Sequence, residues 1–157
     1  AQKYFDDLSS FFKLIEDESG CRVIIAAHPK SKYEGITDLF KGRQVVRGES
    51  HNLVKNAKFV IASSSTAVHF AVIYKKPIIF WAMTSDRKNS YDLVTEHMAF
   101  KLGKSPLDQS TVSSVNLETE LAIDGKKYSQ FMDDHIKIPG SPERFSWDIF
   151  ADYLETL

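Results

Sequence analysis

The chain has 157 residues, a length that suggests one domain. Its 20 Lys and Arg against 21 Asp and Glu leave a formal net charge of -1, which argues against a protein built mainly to neutralise nucleic-acid phosphates, though not against a small anion site. At 43% apolar it can bury a core and is no disordered segment, and its single cysteine, Cys21, excludes an internal disulfide scaffold and fits a reducing compartment.

The first residues, Ala1 to Asp7, lack the apolar stretch of a signal peptide. The chain opens inside a helical pattern and without an initiator methionine, so a fragment or processed chain is expected. Tyr4, Phe5, Leu8, Phe11, Phe12 and Ile15 form one apolar stripe at helical spacing, and Gly20 is the expected stop. Glu16, Asp17 and Glu18 sit at the wrong end of that helix for its dipole. Arg22 to Ala27 reads as a strand buried on both faces, ended by His28-Pro29. A helical turn is expected near Ile36 to Phe40, a second strand over Arg43 to Val46, and a short helix through Asn56 capped by Ser50.

Lys58 to Ala62 is a third strand. Ser63-Ser64-Ser65-Thr66 then opens a helix, Ala67 to Tyr74, apolar nearly all round and so expected to be buried. Pro77 to Trp81 is a fourth strand, and Thr84 to Ser90 a loop. The apolar stretch from Ala67 to Met83 is broken by Lys75, Lys76 and Pro77, so it is no membrane span of the usual ~20 residues. Tyr91, Val94 and Met98 mark another helix, Val112 to Leu117 a candidate strand, and Tyr128, Phe131, Met132, His135 and Ile136 a further helix. Pro142 suits the first turn of a last helix with the stripe Phe145, Ile149, Phe150, Tyr153 and Leu154. Alternating buried strands and helices imply an α/β fold with an open parallel sheet.

Ligands of such sheets bind beyond the carboxyl ends of the strands. The polar clusters expected there are His28-Pro29-Lys30-Ser31, Arg47-Gly48-Glu49-Ser50, Ser63-Ser64-Ser65-Thr66 and Ser85-Asp86-Arg87-Lys88. The serine run carries the strongest argument: helix N–H groups, a helix dipole and small hydroxyls make an anion site. The plainer reading is that one of these residues merely caps the helix. His28 suits donation to a phosphate or leaving oxygen, or is simply a loop histidine bonded to backbone. Lys30, Arg87 and Lys88 add charge for an anionic ligand or are merely solvated. No histidines pair at zinc-ligand spacing, and no P-loop, Gly-x-Gly-x-x-Gly or Asp-x-Asp occurs. His69, inside the apolar helix, reads as a core histidine, and Asp133-Asp134-His135 as an exposed face with its His packing inward.

With these motifs the chain resembles the C-terminal half of GT-B-type bacterial glycosyltransferases of capsule and surface polysaccharide synthesis. Among them are sialyl-, polysialyl- and Kdo-transferases and the related glycerophosphotransferases that use CDP-glycerol. The resemblance rests on His28-Pro29 after a strand, on Ser63-Ser64-Ser65-Thr66 at a helix start about 35 residues later, and on Lys76-Pro77 before an apolar strand. Tyr128, Ile136, Pro139-Gly140-Ser141 and the helix with Trp147 resemble the closing segment.

The resemblance implies that residues 1–157 form one Rossmann-like, nucleotide-sugar donor-binding domain whose N-terminal acceptor domain is absent. His28 would be the catalytic donor to the leaving phosphate. Ser63, Ser64, Ser65, Thr66 and Lys30 would hold the donor, with Gly48, Glu49 and Ser50 near the base. No metal and no cofactor beyond the donor is expected, and no nucleic acid. His69 and Phe70 stand where many such enzymes carry a ribose-binding Glu, which favours a CMP-sugar (Kdo or sialic acid) over UDP. The glycan acceptor would bind the missing half, which supplies the base, so no turnover by this chain alone is expected. The full enzyme would be cytoplasmic, peripheral to the inner face of the inner membrane. A CDP-glycerol-type transferase, a GT-B-fold epimerase and a non-catalytic α/β interaction module are the alternatives.

Overall fold

The computed structural model describes residues 2–31, 33, 38–83, 89–142, 144 and 146–156. Helix α1 spans Gln2–Ser19, and strands β1 (Ile25–Ala27) and β2 (Val45–Arg47) follow. Next come α2 (Ser50–Asn56), β3 (Val60–Ala62), α3 (Ala67–Ile73), β4 (Ile78–Phe80) and α4 (Ser90–Lys101). A 3-10 turn, Val112–Ser114, leads to α5 (Leu117–Leu121), α6 (Gly125–His135) and α7 (Ser146–Glu155). The fold is thus mixed α/β. Its strands form two parallel pairs: β1 with β2, register Ala27 to Arg47, and β3 with β4, register Ala62 to Phe80. A parallel bridge adds Leu107 beside Trp81. Among the described residues no ladder joins the two pairs.

Burial is organised around β4, all three residues of which are inaccessible. Successive strand side chains face opposite ways. Ile78 and Phe80 therefore enter one cluster, with Val68, Ala71 and Val72 of α3, Ala99 of α4, and Tyr128 and Phe131 of α6. Ile79 and Trp81 enter the other, with Phe11, Phe12 and Ile15 of α1. Phe11 stacks on Trp81 at 4.4 Å and 17°, a geometry worth about 1 kcal/mol beyond area burial. Ile61 of β3 and Ile25 of β1 join the α1 cluster, so both strand pairs share one core layer.

The other strands depart from the expectation of two buried faces. Ala26 of β1 is exposed, as are both ends of β2. Helix α2 packs beside β1 but leaves these positions open. In α3, Ile73 is exposed, so that helix is buried on one side only. It ends with Lys75 at φ 50°, where Lys75 N–H meets the Val72 carbonyl (3.0 Å) and Lys76 N–H the Ala71 carbonyl (2.8 Å). This is the left-handed helix stop usually given to glycine. It turns the chain into Pro77 and β4.

Helix α4 forms where expected but faces the other way. It buries Asp92, Thr95 and Ala99 and leaves Tyr91, Leu93, Val94 and Phe100 exposed. The cause is polar: the Asp92 carboxylate accepts from Met83 N–H and from the Asn89 amide, anchoring that face inward. Val112 to Leu117 is a 3-10 turn and helix start, not a strand. Asn116 caps α5 by accepting from Thr119 N–H. Ser50 begins α2, and Glu49 occupies the cap position without a side-chain bond. Pro142 precedes α7, which starts at Ser146. That helix buries none of its described residues, with Trp147, Phe150, Tyr153 and Leu154 all exposed. Of the turn expected near Ile36 to Phe40, Asp38 to Phe40 form a turn that buries Leu39 and Phe40, while its first two residues, most of the Thr84 to Ser90 loop and Phe145 lie outside the described residues.

The acidic end of α1 has a structural reason. Glu16 accepts from Arg43 through Nη2 at 2.7 Å and Nε at 3.2 Å, and from Val23 N–H at 2.9 Å. Arg43 also lies over the Phe12 ring at 5.4 Å. The Arg43 hydrogen bond holds the Glu16 carboxyl below its ordinary 4.5, against a smaller opposing push from burial. Glu16→Gln should cost about 2 kcal/mol, since charge-assisted bonds contribute about 1.5–3. Because the folded-state value is lowered, the pair's contribution is present above about pH 4.5 and fades as pH falls through the folded value. Urea melts across pH 2.5 to 7 should show a steeper acid loss in the wild type than in Glu16→Gln. Parallel curves would refute this.

Candidate functional site

Parallel pairing brings two of the expected clusters to one edge. His28-Pro29-Lys30 leaves β1 beside Gly48-Glu49-Ser50 leaving β2, because Ala27 and Arg47 are in register. In the other pair, Ser63 leaves β3 beside Trp81 leaving β4. No described contact joins His28 or Lys30 to the serine run. Arg87, Lys88, Ser85 and Asp86 lie outside the described residues.

The serine run is a tightly bonded turn. Ser63 Oγ donates to the Trp81 carbonyl at 2.7 Å, tying the ends of β3 and β4 together. Ser65 N–H donates to the Ser63 carbonyl at 2.8 Å, and Ser65 Oγ accepts from Ala67 N–H at 3.2 Å. Val68 N–H goes to the Ser65 carbonyl and His69 N–H to the Thr66 carbonyl, at 3.1 and 3.0 Å. The first three N–H groups of α3 therefore already have acceptors. Thr66 occupies the cap position with no side-chain bond. Ser65 Oγ accepts without donating, so its O–H is left to a ligand together with the hydroxyls of half-buried Ser64 and exposed Thr66.

His28 is exposed, and its Nδ1 accepts from Lys30 N–H at 3.0 Å. A neutral ring accepting at Nδ1 carries its proton on Nε2, which makes Nε2 the donor for a phosphate oxygen. The loop is fixed by Ser31, whose N–H meets the His28 carbonyl at 2.9 Å and whose hydroxyl meets the same oxygen. Lys30 is exposed. Gly48 has φ 72° and would meet nothing with a Cβ. Glu49 accepts from the Asn52 amide at 2.7 Å, and Ser50 is half-buried.

A cleft of about 460 Å³ opens at the carboxyl end of β4, and sequence reasoning missed it. Lys3, Tyr4 and Asp7 of α1 form one wall, the Trp81 to Met83 segment the floor, and Asp108 to Ser110 the other wall. Burial raises the Tyr4 phenol's pKa, the Asp92 carboxylate and Tyr33 raise it further, and a hydrogen bond with Ser63 opposes them. Tyr4 thus borders both the cleft and the serine run. Asp108 is buried, and its Oδ1 takes Ser110 N–H at 2.8 Å, Ser110 Oγ at 2.5 Å and Thr111 N–H at 3.2 Å. Asp-x-Ser-Thr was the available sequence signal for that turn, as Asn89-x-x-Asp92 was for the α4 cap.

His69, His97 and His135 border a separate, mainly apolar groove of about 350 Å³ with Leu93, Met98 and Phe131. His69 is half-buried, its ring 5.8 Å from that of Phe131. His135 is exposed and rests its ring on Phe131 at 4.6 Å. Among the described residues no group of three or more His, Cys, Asp or Glu side chains is placed to hold a metal ion. No described helix is long and apolar enough to cross a membrane. Neither a protein-family model, nor a curated protein, nor a solved structure matches the chain.

Two substitutions separate the supports of this region. Ser63→Ala removes the neutral hydrogen bond to the Trp81 carbonyl and should cost about 1 kcal/mol. Asp92→Ala leaves two donors without their acceptor in a buried place and should cost about 3 kcal/mol. Chemical denaturation ranks them. An Asp92→Ala protein as stable as Ser63→Ala would show that the carboxylate does not anchor α4.

Proposed function

We propose that this chain is the donor-binding half of a glycosyltransferase of bacterial surface polysaccharide synthesis, taking a cytidine nucleotide-activated donor such as a CMP-sugar. One observation carries the reading: the His28 and Gly48 clusters leave β1 and β2 side by side at their carboxyl ends, the serine run leaves β3 at its carboxyl end, and a cleft opens at the end of β4. Ligands of parallel α/β sheets bind at that edge. Under this reading the two strand pairs belong to one Rossmann-like sheet, half of a GT-B fold. The shared cluster of Ile25, Ile61 and Ile79 supports that arrangement.

The chemistry follows from the residues. As the glycosidic bond breaks, the departing nucleotide phosphate gains negative charge. Preoriented donors stabilise it where it develops. His28 Nε2–H donates to the leaving phosphate, and the Ser64 and Thr66 hydroxyls bind its oxygens. Ser63 and Ser65 hold the turn in shape through their own bonds. Lys30 adds charge, and Gly48, Glu49 and Ser50 border the base. The donor is a substrate, so the scheme calls for no metal and no resident cofactor. The acceptor glycan and the base that deprotonates it belong to the other half, in a cytoplasmic enzyme at the inner face of the inner membrane.

A second reading, a non-catalytic interaction module, is favoured by the serine turn itself. Its bonds to Ala67, Val68 and His69 N–H complete a helix cap without any ligand. Calorimetric titration of the folded chain with CMP, CDP and UDP separates the two. The expected outcome is CMP binding that weakens about tenfold or more in His28→Ala and in Ser64→Ala, the loss of one bond to a charged group. A folded chain that binds none of the three nucleotides is the interaction module.

A further inference from the structure

We infer that the chain pairs with a second copy of itself, α7 of each copy seating its aromatic face in the groove that α3, α4 and α6 form on the other. This pairing does not depend on what the strand-end clusters bind. The fold leaves two apolar surfaces open. On α7, Trp147, Phe150, Tyr153 and Leu154 recur at helical spacing, and each is more than half exposed. The rings of Trp147 and Phe150 meet edge to face at 6.2 Å, so this face is arranged before any partner arrives. The second surface is the groove of about 350 Å³ lined by Val94, His97 and Met98 of α4, Phe131 and His135 of α6, and His69 of α3. Leu93 lines it at the His135 end, and the exposed Phe100 ring carries Lys127 Nζ at 5.5 Å beyond the other end.

Length, chemistry and symmetry name a second copy as the occupant. Leu93 to Phe100 and Trp147 to Leu154 have the same spacing, about 11 Å along each helix axis. The groove surrounds Phe131 with three imidazoles, and α7 presents three aromatic rings, two of which carry an indole N–H and a phenol that need polar partners once covered. An imidazole supplies them. The chain already uses this pairing elsewhere: His51 of α2 packs on the rings of Phe70 and Tyr74 at 5.3 and 5.5 Å, with the Tyr74 hydroxyl 2.5 Å from His51 Nε2. Helix and groove sit on one chain, so a two-fold axis fills both grooves and covers both helices at once. The linker 136–145 starts directly after His135 on the groove's rim, and its ten residues reach up to about 33 Å, enough to cross to a neighbour. A lipid surface fits less well. The opposite face of α7 carries Asp148, Asp152 and Glu155, where helices lying on anionic membranes carry Lys and Arg.

Light scattering over a wide concentration range should show the wild-type mass doubling. Association should blue-shift the emission of Trp147, the exposed one of the two tryptophans. Phe150→Glu on the helix and Val94→Glu on the groove both change exposed side chains, so circular dichroism should stay that of the wild type. Each should weaken dimerisation about thirtyfold or more, the loss of one central anchor. In a Cys21→Ser background, mixing Phe150→Cys chains with Val94→Cys chains under mild oxidation should give a covalent dimer that neither gives alone. A wild-type chain that stays monomeric throughout overturns the proposal. So does a dimer broken by Phe150→Glu but not by Val94→Glu, or a covalent dimer from Phe150→Cys alone, either of which would mean that the helices pair with each other. Flotation of a monomeric wild type, but not of Phe150→Glu, with phosphatidylglycerol vesicles would assign α7 to lipid and overturn it as well.

Discussion

The structure depends on β4 being covered on both faces. A three-residue strand has few hydrogen bonds of its own, and its ladder to β3 is equally short. What fixes it is alternation: Ile78 and Phe80 in one cluster, Ile79 and Trp81 in the other. Because the two clusters draw on different helices, neither layer is complete without this strand. Tyr128 of α6 strengthens the arrangement at the strand's entry, where its hydroxyl donates to the Lys76 carbonyl at 2.9 Å. Burial pushes that phenol up to about 12, so it stays a donor throughout the neutral range.

Polar chemistry is displaced to the strand ends by the same constraint. The strand that carries both clusters has no room for a functional group until Trp81 ends it. From there the backbone turns toward Leu107, and the Asp92 and Asp108 carboxylates collect the N–H groups that the ladder leaves over. These acids are organisers of loops first. That role also places the buried Asp108 carboxylate in the lining of the cleft.

Much of the element order was legible because it rests on local pattern. The α1 stripe, the Ser63 to Thr66 turn and the apolar run of β4 each announce themselves within a dozen residues. The placement of α4 was not legible. Tyr91, Leu93, Val94 and Phe100 point outward because Asp92 is fixed by Met83, nine positions earlier. Burial of a charged residue runs against every sequence pattern, and only its partners explain it. The double burial forecast for the Arg22 to Ala27 strand failed for a related reason. An apolar run shows that a strand can be covered, and the covering helix decides whether it is. The cleft was missed because its walls come from residues about 100 positions apart. The His28 and serine clusters were legible as motifs, while the closure of the serine turn on its own N–H groups was not.

The length of α1 has its own consequence. Its middle is packed against Trp81 and its last turn is clamped by Arg43, while its first turn is a wall of the cleft. From Tyr4 to Glu16 is about 18 Å at 1.5 Å per residue. The wall exists only while the helix is wound, so a ligand gripping Tyr4 and Asp7 favours the wound state of the whole element. By mass action, any such ligand would add to the stability of the Glu16 clamp at the far end. Binding there and unfolding of α1 would be a single linked equilibrium.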